Sequence, residues 1–232
     1  MELLYEGKAK QVYRRGGLYV LVFKDVVTAG DGVKKDAAPG KGALAAETTA
    51  LLLQRLEAAG VATHYVAYEP PNAIVAKPAD VVPLEVVVRF KAYGSQLKRM
   101  PRLAPLQPFS KPLVELHFKD DKLHDPLVLE EEALEAGLVT AQELEYIKFT
   151  SVKAATVLKS LYAKAGCDLV DIKFEYGRAE GRLLLIDEVS GDTFRLLCGG
   201  EHLDKEYYRK TGDVLGLLER YRKLLQITKS LA

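Results

Sequence analysis

Three charged residues alternate along one short segment: Asp171, Lys173 and Glu175 in DIKFE, with Ile172 and Phe174 between them. In an extended chain successive side chains point to opposite faces, so the three charges share one face and the two apolar residues the other. Residues 177–181 read as a turn, and an apolar run over 183–186 returns and stops abruptly at Asp187 and Glu188. Ser190, Asp192 and Arg195 follow closely. Such a hairpin gathers a lysine and several carboxylates over a small area. Carboxylate oxygens at strand ends suit Mg²⁺, which keeps few protein ligands and shares its coordination with phosphates. The chemistry this predicts is that of an ATP·Mg²⁺ enzyme. An edge hairpin with one solvated face shows the same alternation, but ordinary turns do not need the density of paired charge that follows residue 186.

Other segments add cations. In GKAK, residues 7–10, Lys8 and Lys10 are expected to share a strand face, and Gly7 lets backbone approach a phosphate closely. Two ammonium groups aimed at a polyphosphate would neutralise developing charge in phosphoryl transfer, although solvent-facing lysines give the same pattern. PGKG, residues 39–42, has the look of a phosphate loop but fails its spacing, because Gly42 follows Lys41 where Ser or Thr is needed. It could still line an anion site at the start of the next helix. In VVVRFKAYGSQLKR, residues 86–99, Arg89 ends a strand and Ser95 lies in a Gly-Ser turn. A guanidinium there could hold a carboxylate or phosphate bidentately. KDDKLHDP, residues 119–126, gathers Lys119, Asp120, Asp121, His124 and Asp125 without metal-site spacing, and reads as a polar loop.

The elements that must position these residues follow from periodicity. The chain has 232 residues and is 48% apolar, enough for a full core. Two strands are expected around the turn at 14–17, then a Gly-, Asp- and Lys-rich loop over 25–42. A helix over about 43–59 ends at Gly60, and strands follow over 61–69, 72–77 and 84–90. Residues 77–83, rich in proline, are the expected interdomain hinge. Residues 100–130 read as proline-rich loop with one strand near 113–118. Thr140 and Glu143 form a capping box for a helix over 141–165, and a last helix covers about 213–230. Strands early and helices late predict an α+β fold rather than a doubly wound sheet.

Composition excludes several classes. A net charge of +1 argues against a general nucleic-acid surface. No apolar stretch approaches the roughly 20 residues of a membrane span, and MELLYEGKAK lacks an apolar signal core. Cys167 and Cys198 have neither metal nor redox spacing. With no disulfide framework, the expected compartment is reducing, hence cytoplasmic. Asn72 is the single asparagine, and with abundant Glu, Lys and Arg this is the composition of heat-adapted proteins.

Taken in order, LYEGKAKQVY, DGVKKDAAPGKGAL, EVVVRFKAYGS, HDPLV, LVDIKFEYG, DEVSGDTFRL and LDKEYYR resemble the SAICAR synthetase (phosphoribosylaminoimidazole-succinocarboxamide synthase) family along nearly the whole chain. The resemblance implies that ATP, L-aspartate and carboxyaminoimidazole ribonucleotide become ADP, phosphate and the succinocarboxamide in purine synthesis. It implies a small antiparallel nucleotide-binding domain like a kinase N-lobe, residues 1–82, packed on a larger α+β domain, residues 83–232, with ATP in the cleft between. Homodimers or larger homo-oligomers are expected.

The resemblance also implies residue roles. Gly7, Lys8, Ala9, Lys10, Val12, Val81 and Lys119 would bind the nucleotide, with Lys8 and Lys10 on the phosphates, and Glu175 and Asp187 would ligate Mg²⁺. Arg89, Ser95, Asp171 and Arg195 would hold the ribonucleotide, and Lys205 and Arg209 an anionic group nearby. Asp125, Lys173 and Asp192 would line the reaction centre with Lys8. The chain departs from the family pattern at Ala45 and Ala46 (often paired Asn), Phe90 (often Asn), Gly191 (usually Pro), Leu197 and Cys198 (commonly Trp-Asp) and Glu206 (an Asp). None of these removes a proposed metal or phosphate contact. Two other functions use the same cleft: a small-molecule kinase, which would release ADP without aspartate, and a non-catalytic nucleotide-binding module, which would bind ATP without turnover.

Overall fold

The computed structural model describes residues 1–29 and 34–231 as an α+β fold with three antiparallel sheets. Strands β1 (Glu2–Glu6), β2 (Lys10–Arg15) and β3 (Leu18–Phe23) come first, followed by a hairpin of β4 (Val26–Ala29) and β5 (Lys34–Ala37). Helix α1 (Lys41–Ala58) leads to β6 (Tyr65–Glu69) and β7 (Ala73–Ala76). The first sheet runs β1-β2-β3-β7-β6, and α1 packs across it on β3, β6 and β7.

Residues 77–79 connect this sheet to β8 (Asp80–Lys91). Of the segment expected as a hinge, 77–83, residues 80–83 therefore belong to β8. Pro83 sits inside the strand, where its carbonyl still accepts from the Lys119 amide at 3.0 Å. Short α2 (Ser95–Arg99), β9 (Pro108–Phe118), β10 (Leu127–Val128) and α3 (Glu130–Glu135) follow, so the region expected to be mostly loop carries an eleven-residue strand. Helix α4 (Ala141–Ala163) has the expected capping box of Thr140 and Glu143. Then come β11 (Cys167–Ala179), β12 (Arg182–Ile186), β13 (Phe194–Cys198), β14 (Glu201–His202), α5 (Glu206–Thr211) and α6 (Val214–Leu231).

The second sheet runs β10-β9-β8-β11-β13-β14, with β12 also on β11. Strand β11 is thus central, not an edge, which removes the solvated-hairpin reading. It shares one side with β8, while its other side is divided. β13 pairs residues 167–172 and β12 pairs residues 175–179. Between them the 187–193 loop leaves the sheet, and Lys173, opposite no strand on that side, donates its amide to the Thr193 carbonyl at 2.8 Å. The split opens the sheet where the charges of DIKFE lie.

A continuous core joins α1, α4 and both sheets. A smaller cluster of Val27, Ala38, Tyr208, Leu217, Leu218 and Tyr221 seats the β4–β5 hairpin on α5 and α6. The segment expected to be a loop over 25–42 holds this hairpin; residues 30–33, including DGV of the quoted motif, lie outside the described residues. The cysteine expectation is also corrected. Cys167 and Cys198 are register partners on β11 and β13 and form a disulfide. Their spacing in sequence carried no motif, but sheet register sets them opposite one another.

Candidate active site

Five stretches of chain deliver charge to the split in the second sheet: β2, β8, the residues after β9, β11 and the loop after β12. Lys10, the first residue of β2, reaches Asp187 at 2.7 Å and Glu188 at 2.6 Å. Lys119, just past β9, reaches Glu175 at 2.8 Å. Lys173 bridges Glu175 at 2.5 Å and Glu85 at 2.8 Å. Burial would discharge these lysines, but the carboxylates beside Lys10 and Lys173 raise both well above the ordinary lysine range. Burial likewise opposes the charges of Asp187 and Glu175, yet the surrounding lysines hold both carboxyls below their ordinary values. Asp187 has φ 67°, a left-handed conformation costly for a residue with a Cβ. His64 Nε2–H donates to the Asp187 carbonyl at 3.2 Å. Burial pushes that imidazole down to about 4, so it is neutral.

Glu175 and Asp187 thus converge on one cluster of lysines. Two carboxylates with lysines around them fit a divalent cation held jointly with nucleotide phosphates. They do not fit an all-protein cage, and no larger group of metal-ligating side chains occurs among the described residues.

The N-terminal motif is arranged differently from expectation. Gly7, Lys8 and Ala9 form the turn between β1 and β2, so Lys8 and Lys10 do not share a strand face. Lys8 is half exposed and pairs with Asp121 at 2.8 Å. Lys24 fixes the turn: its amide donates to the Ala9 carbonyl and its Nζ to the Gly7 carbonyl. Val12 packs against the core, and Val81 is 51% exposed on β8, opposite Gly177.

A second network lies toward the β13 end of β11. Arg89, only 3% exposed, donates Nε to Glu115 at 2.9 Å and Nη1 to Asp171 at 2.6 Å. Its Nη2 lies 3.5 Å from Ser95 Oγ. Arg195 donates to the same Asp171 oxygen at 2.7 Å and to Glu206 at 3.2 Å, which Arg209 also reaches at 3.2 Å. Glu206, a departure from the family pattern, keeps the carboxylate that pairs Arg195. A Cβ at Gly94 would lie 2.7 Å from the Arg195 guanidinium, so the glycine permits that approach. Arg89, Ser95, Asp171 and Arg195 are therefore brought together, with Arg209 joined to them through Glu206.

Two expectations change. Asp125 uses its carboxylate to accept the Asp120 amide at 2.9 Å, holding the 120–125 turn, and has no described contact with Lys173 or Asp192. The start of α1 is not a vacant anion site, because the Asp25 carboxylate accepts the Gly40 and Gly42 amides at 2.9 and 2.8 Å. The notable feature there is the buried side chain of Lys41, which sequence reading did not single out. Lys41 is 2% exposed and ion-pairs with Asp192, which Lys205 approaches at 3.6 Å. A lysine in the first turn opposes the helix dipole. That local conflict was the available signal.

The SAICAR synthetase family model matches residues 3–225. The chain is 66% identical over 229 residues to the phosphoribosylaminoimidazole-succinocarboxamide synthase of Pyrobaculum calidifontis, covering 99% of this chain and 95% of that one. Among solved structures it resembles the Ehrlichia chaffeensis synthase (TM-score 0.94, 33% identity, 98% of each chain). It also resembles a SAICAR synthetase in complex with ADP (TM-score 0.92, 35% identity, 97% of each chain).

Proposed function

The chain belongs to the SAICAR synthetase family, and from that premise we propose how its residues carry the reaction. It is a phosphoribosylaminoimidazole-succinocarboxamide synthase, a ligase of purine biosynthesis that joins L-aspartate to carboxyaminoimidazole ribonucleotide. The observation that carries the residue assignment is the convergence of Lys10, Lys119, Lys173, Glu175 and Asp187 on the split beside β11.

ATP lies between residues 1–82 and 83–232, the two domains of this reading, and the ADP bound by a similar structure supports that ligand. Lys8 and Lys10 take its phosphates, Lys119 assists, and Gly7, Ala9, Val12 and Val81 line its site. Arrival of the triphosphate lets Lys10 exchange Asp187 for phosphate oxygens. Glu175 and Asp187 would then hold Mg²⁺, which neutralises phosphate charge. Arg89, Ser95, Asp171 and Arg195 orient the ribonucleotide, and Lys205 and Arg209 hold an anionic substrate group. A carboxylate is a poor acyl donor because oxide leaves badly. Its oxygen attacks the γ-phosphorus and ADP departs. The aspartate ammonium gives one proton to solvent, the free amine attacks the acyl carbon, and phosphate leaves with that oxygen and takes the second nitrogen proton. Lys173 stabilises charge developing on the transferred group. Lysine neighbours hold the Asp192 carboxyl far below its ordinary value despite burial. Asp192 therefore acts as a fixed negative charge beside the incoming ammonium, not as a base. Asp125 is kept as a reaction-centre residue only if its turn opens on binding.

A cytoplasmic location and a homo-oligomeric assembly belong to the same proposal and rest on the family resemblance, since the disulfide removes the argument from cysteine. No helix among the described residues is long and apolar enough to cross a membrane. The test is incubation with ATP, Mg²⁺, L-aspartate and the carboxylated ribonucleotide. ADP, phosphate and the amide should appear together and only with aspartate. ADP release without aspartate, with a phosphorylated product, would favour a kinase instead.

A further inference from the structure

Tyr93 lies in the short connection between β8 and α2. Its backbone is anchored through the preceding residue. Ala92 is fully buried, donates to the Gln107 carbonyl at 2.9 Å and accepts the Leu106 amide at 2.8 Å. Two cations stand against the Tyr93 ring. The Arg195 guanidinium is 5.1 Å from the ring centroid and the Lys210 ammonium 5.3 Å.

The hydroxyl end of the ring is held by a chain of hydrogen bonds whose polarity is fixed. Asp204 is fully buried, and its carboxylate accepts the Leu196 amide at 2.8 Å and the Glu206 amide at 2.7 Å. His202 Nδ1 donates to the same carboxylate at 3.0 Å. His202 Nε2 faces two donors, the Tyr93 hydroxyl at 3.0 Å and Lys210 Nζ at 3.5 Å, and so accepts. An ammonium can only donate, and Lys210 gives a proton to the Tyr93 oxygen at 2.5 Å. From Lys210 through Tyr93 and His202 to Asp204, each donor meets an acceptor. The His202 ring also meets the Tyr93 ring edge-on, with centroids 5.5 Å apart. A buried carboxylate therefore sets the orientation of a half-buried phenol ring.

Arg195 gains a wall from this. Its Nε is engaged by Glu206 and its Nη1 by Asp171. Its Nη2 lies against Gly94 and makes no hydrogen bond among the described residues. The Tyr93 ring and the bare Cα of Gly94 bound the guanidinium on the side of the β8–α2 connection, and the Nη2 donors are left for a ligand. A ring face attracts a cation electrostatically without occupying its N–H groups. It restrains the guanidinium where a third carboxylate would have consumed its last donors.

We propose that Tyr93 is a positioning residue for the ribonucleotide: its ring, locked through His202 to Asp204, holds the Arg195 guanidinium so that Nη2 meets an anionic group of that substrate. This deepens the ligase reading and rests on its assignment of Arg195.

The experiment measures ribonucleotide binding by calorimetry on the whole protein, with KM values for the three substrates and melting temperatures beside it. Tyr93→Leu should weaken ribonucleotide binding and raise its KM about 10-fold, within the range that a partly desolvated cation–ring contact spans. The KM values for ATP and aspartate should change far less. Tyr93→Phe keeps the ring but gives up the hydroxyl chain, and should raise the ribonucleotide KM about 2-fold. Trifluorophenylalanine introduced at position 93 keeps the shape of Phe and withdraws charge from the ring face, and should raise that KM about 5-fold. This variant preserves the packing, so it decides the matter even if Tyr93→Leu fails to fold. A ring with a purely structural role would not respond to fluorination. Equal ribonucleotide affinity in the Phe and fluorinated variants, or an equal rise in KM for all three substrates, would overturn the proposal. Failure of the ligase reading would be seen separately, as wild-type protein that releases no ADP in response to aspartate.

Discussion

The two charged regions that meet on β11 are built from different cations. Toward β13, two arginines hold the Asp171 carboxylate between them, and Arg89 also holds Glu115. Toward β12, lysines from distant parts of the chain make single-point contacts with Glu175, Asp187 and Glu188. A guanidinium is a rigid, permanently charged fork, whereas an ammonium is a point charge on a flexible stem. The first region can therefore be fixed before any ligand arrives, and the second can exchange a carboxylate for a phosphate. On this view, one side orients a substrate and the other turns over.

The largest effect should come from breaking the fixed side. Arg89→Met leaves Glu115 and Asp171 buried with fewer partners and should cost about 3–5 kcal/mol of stability, read from the urea midpoint. A variant as stable as wild type would erase the distinction between the regions. The exchanging side should respond in the opposite way. Asp187→Asn leaves Lys10 paired with Glu188, so melting should change little while kcat falls on the order of 10²- to 10³-fold. A large loss of stability with near-normal kcat would make Asp187 a structural residue.

Legibility in the sequence followed the same division. Residues on β11 could be read because alternation along a strand is a local property, and helix α4 could be read because its cap is local as well. Arg89 stood out as a charge ending an apolar run. What escaped depends on contacts between distant segments. Glu115 looks like an ordinary strand residue until Arg89 and Arg99 are placed against it. Lys41 looked like a failed phosphate loop because its partner lies 151 residues away. The disulfide joins residues 31 apart and is visible only in the register of β11 with β13. For Asp125 the motif around it is distinctive, but its carboxylate closing a local turn is a contact that sequence does not display.

Acid provides a more moderate test of the fixed side. Burial opposes the Glu115 charge, but a hydrogen bond from His117 and the nearby Arg89 and Arg99 guanidiniums hold its carboxyl at about 2. The folded value lies below the unfolded one, near 4.5. The stability contributed by this carboxylate is therefore present above pH 4.5 and disappears as pH falls toward 2. Urea titrations across that window should show a loss of roughly 1–3 kcal/mol that is diminished in Glu115→Gln. An equal slope in the variant would place the acid sensitivity elsewhere.

The smallest expected effect sits at the edge of the fixed network. Ser95 is exposed, and its hydroxyl is 3.5 Å from Arg89 Nη2, too long to contribute much to the lock. Asp171 and Glu115 already satisfy the other guanidinium nitrogens, so Ser95→Ala should change stability by less than about 0.5 kcal/mol. If the hydroxyl instead meets the ribonucleotide, its removal costs about one ordinary hydrogen bond, which raises the KM for that substrate roughly 5-fold and leaves those for ATP and aspartate alone. A drop in stability approaching that of Arg89→Met would make Ser95 part of the lock. An unchanged ribonucleotide KM would place the substrate-facing edge of the network at Arg195 and Arg209, where the guanidiniums are more exposed than that of Arg89.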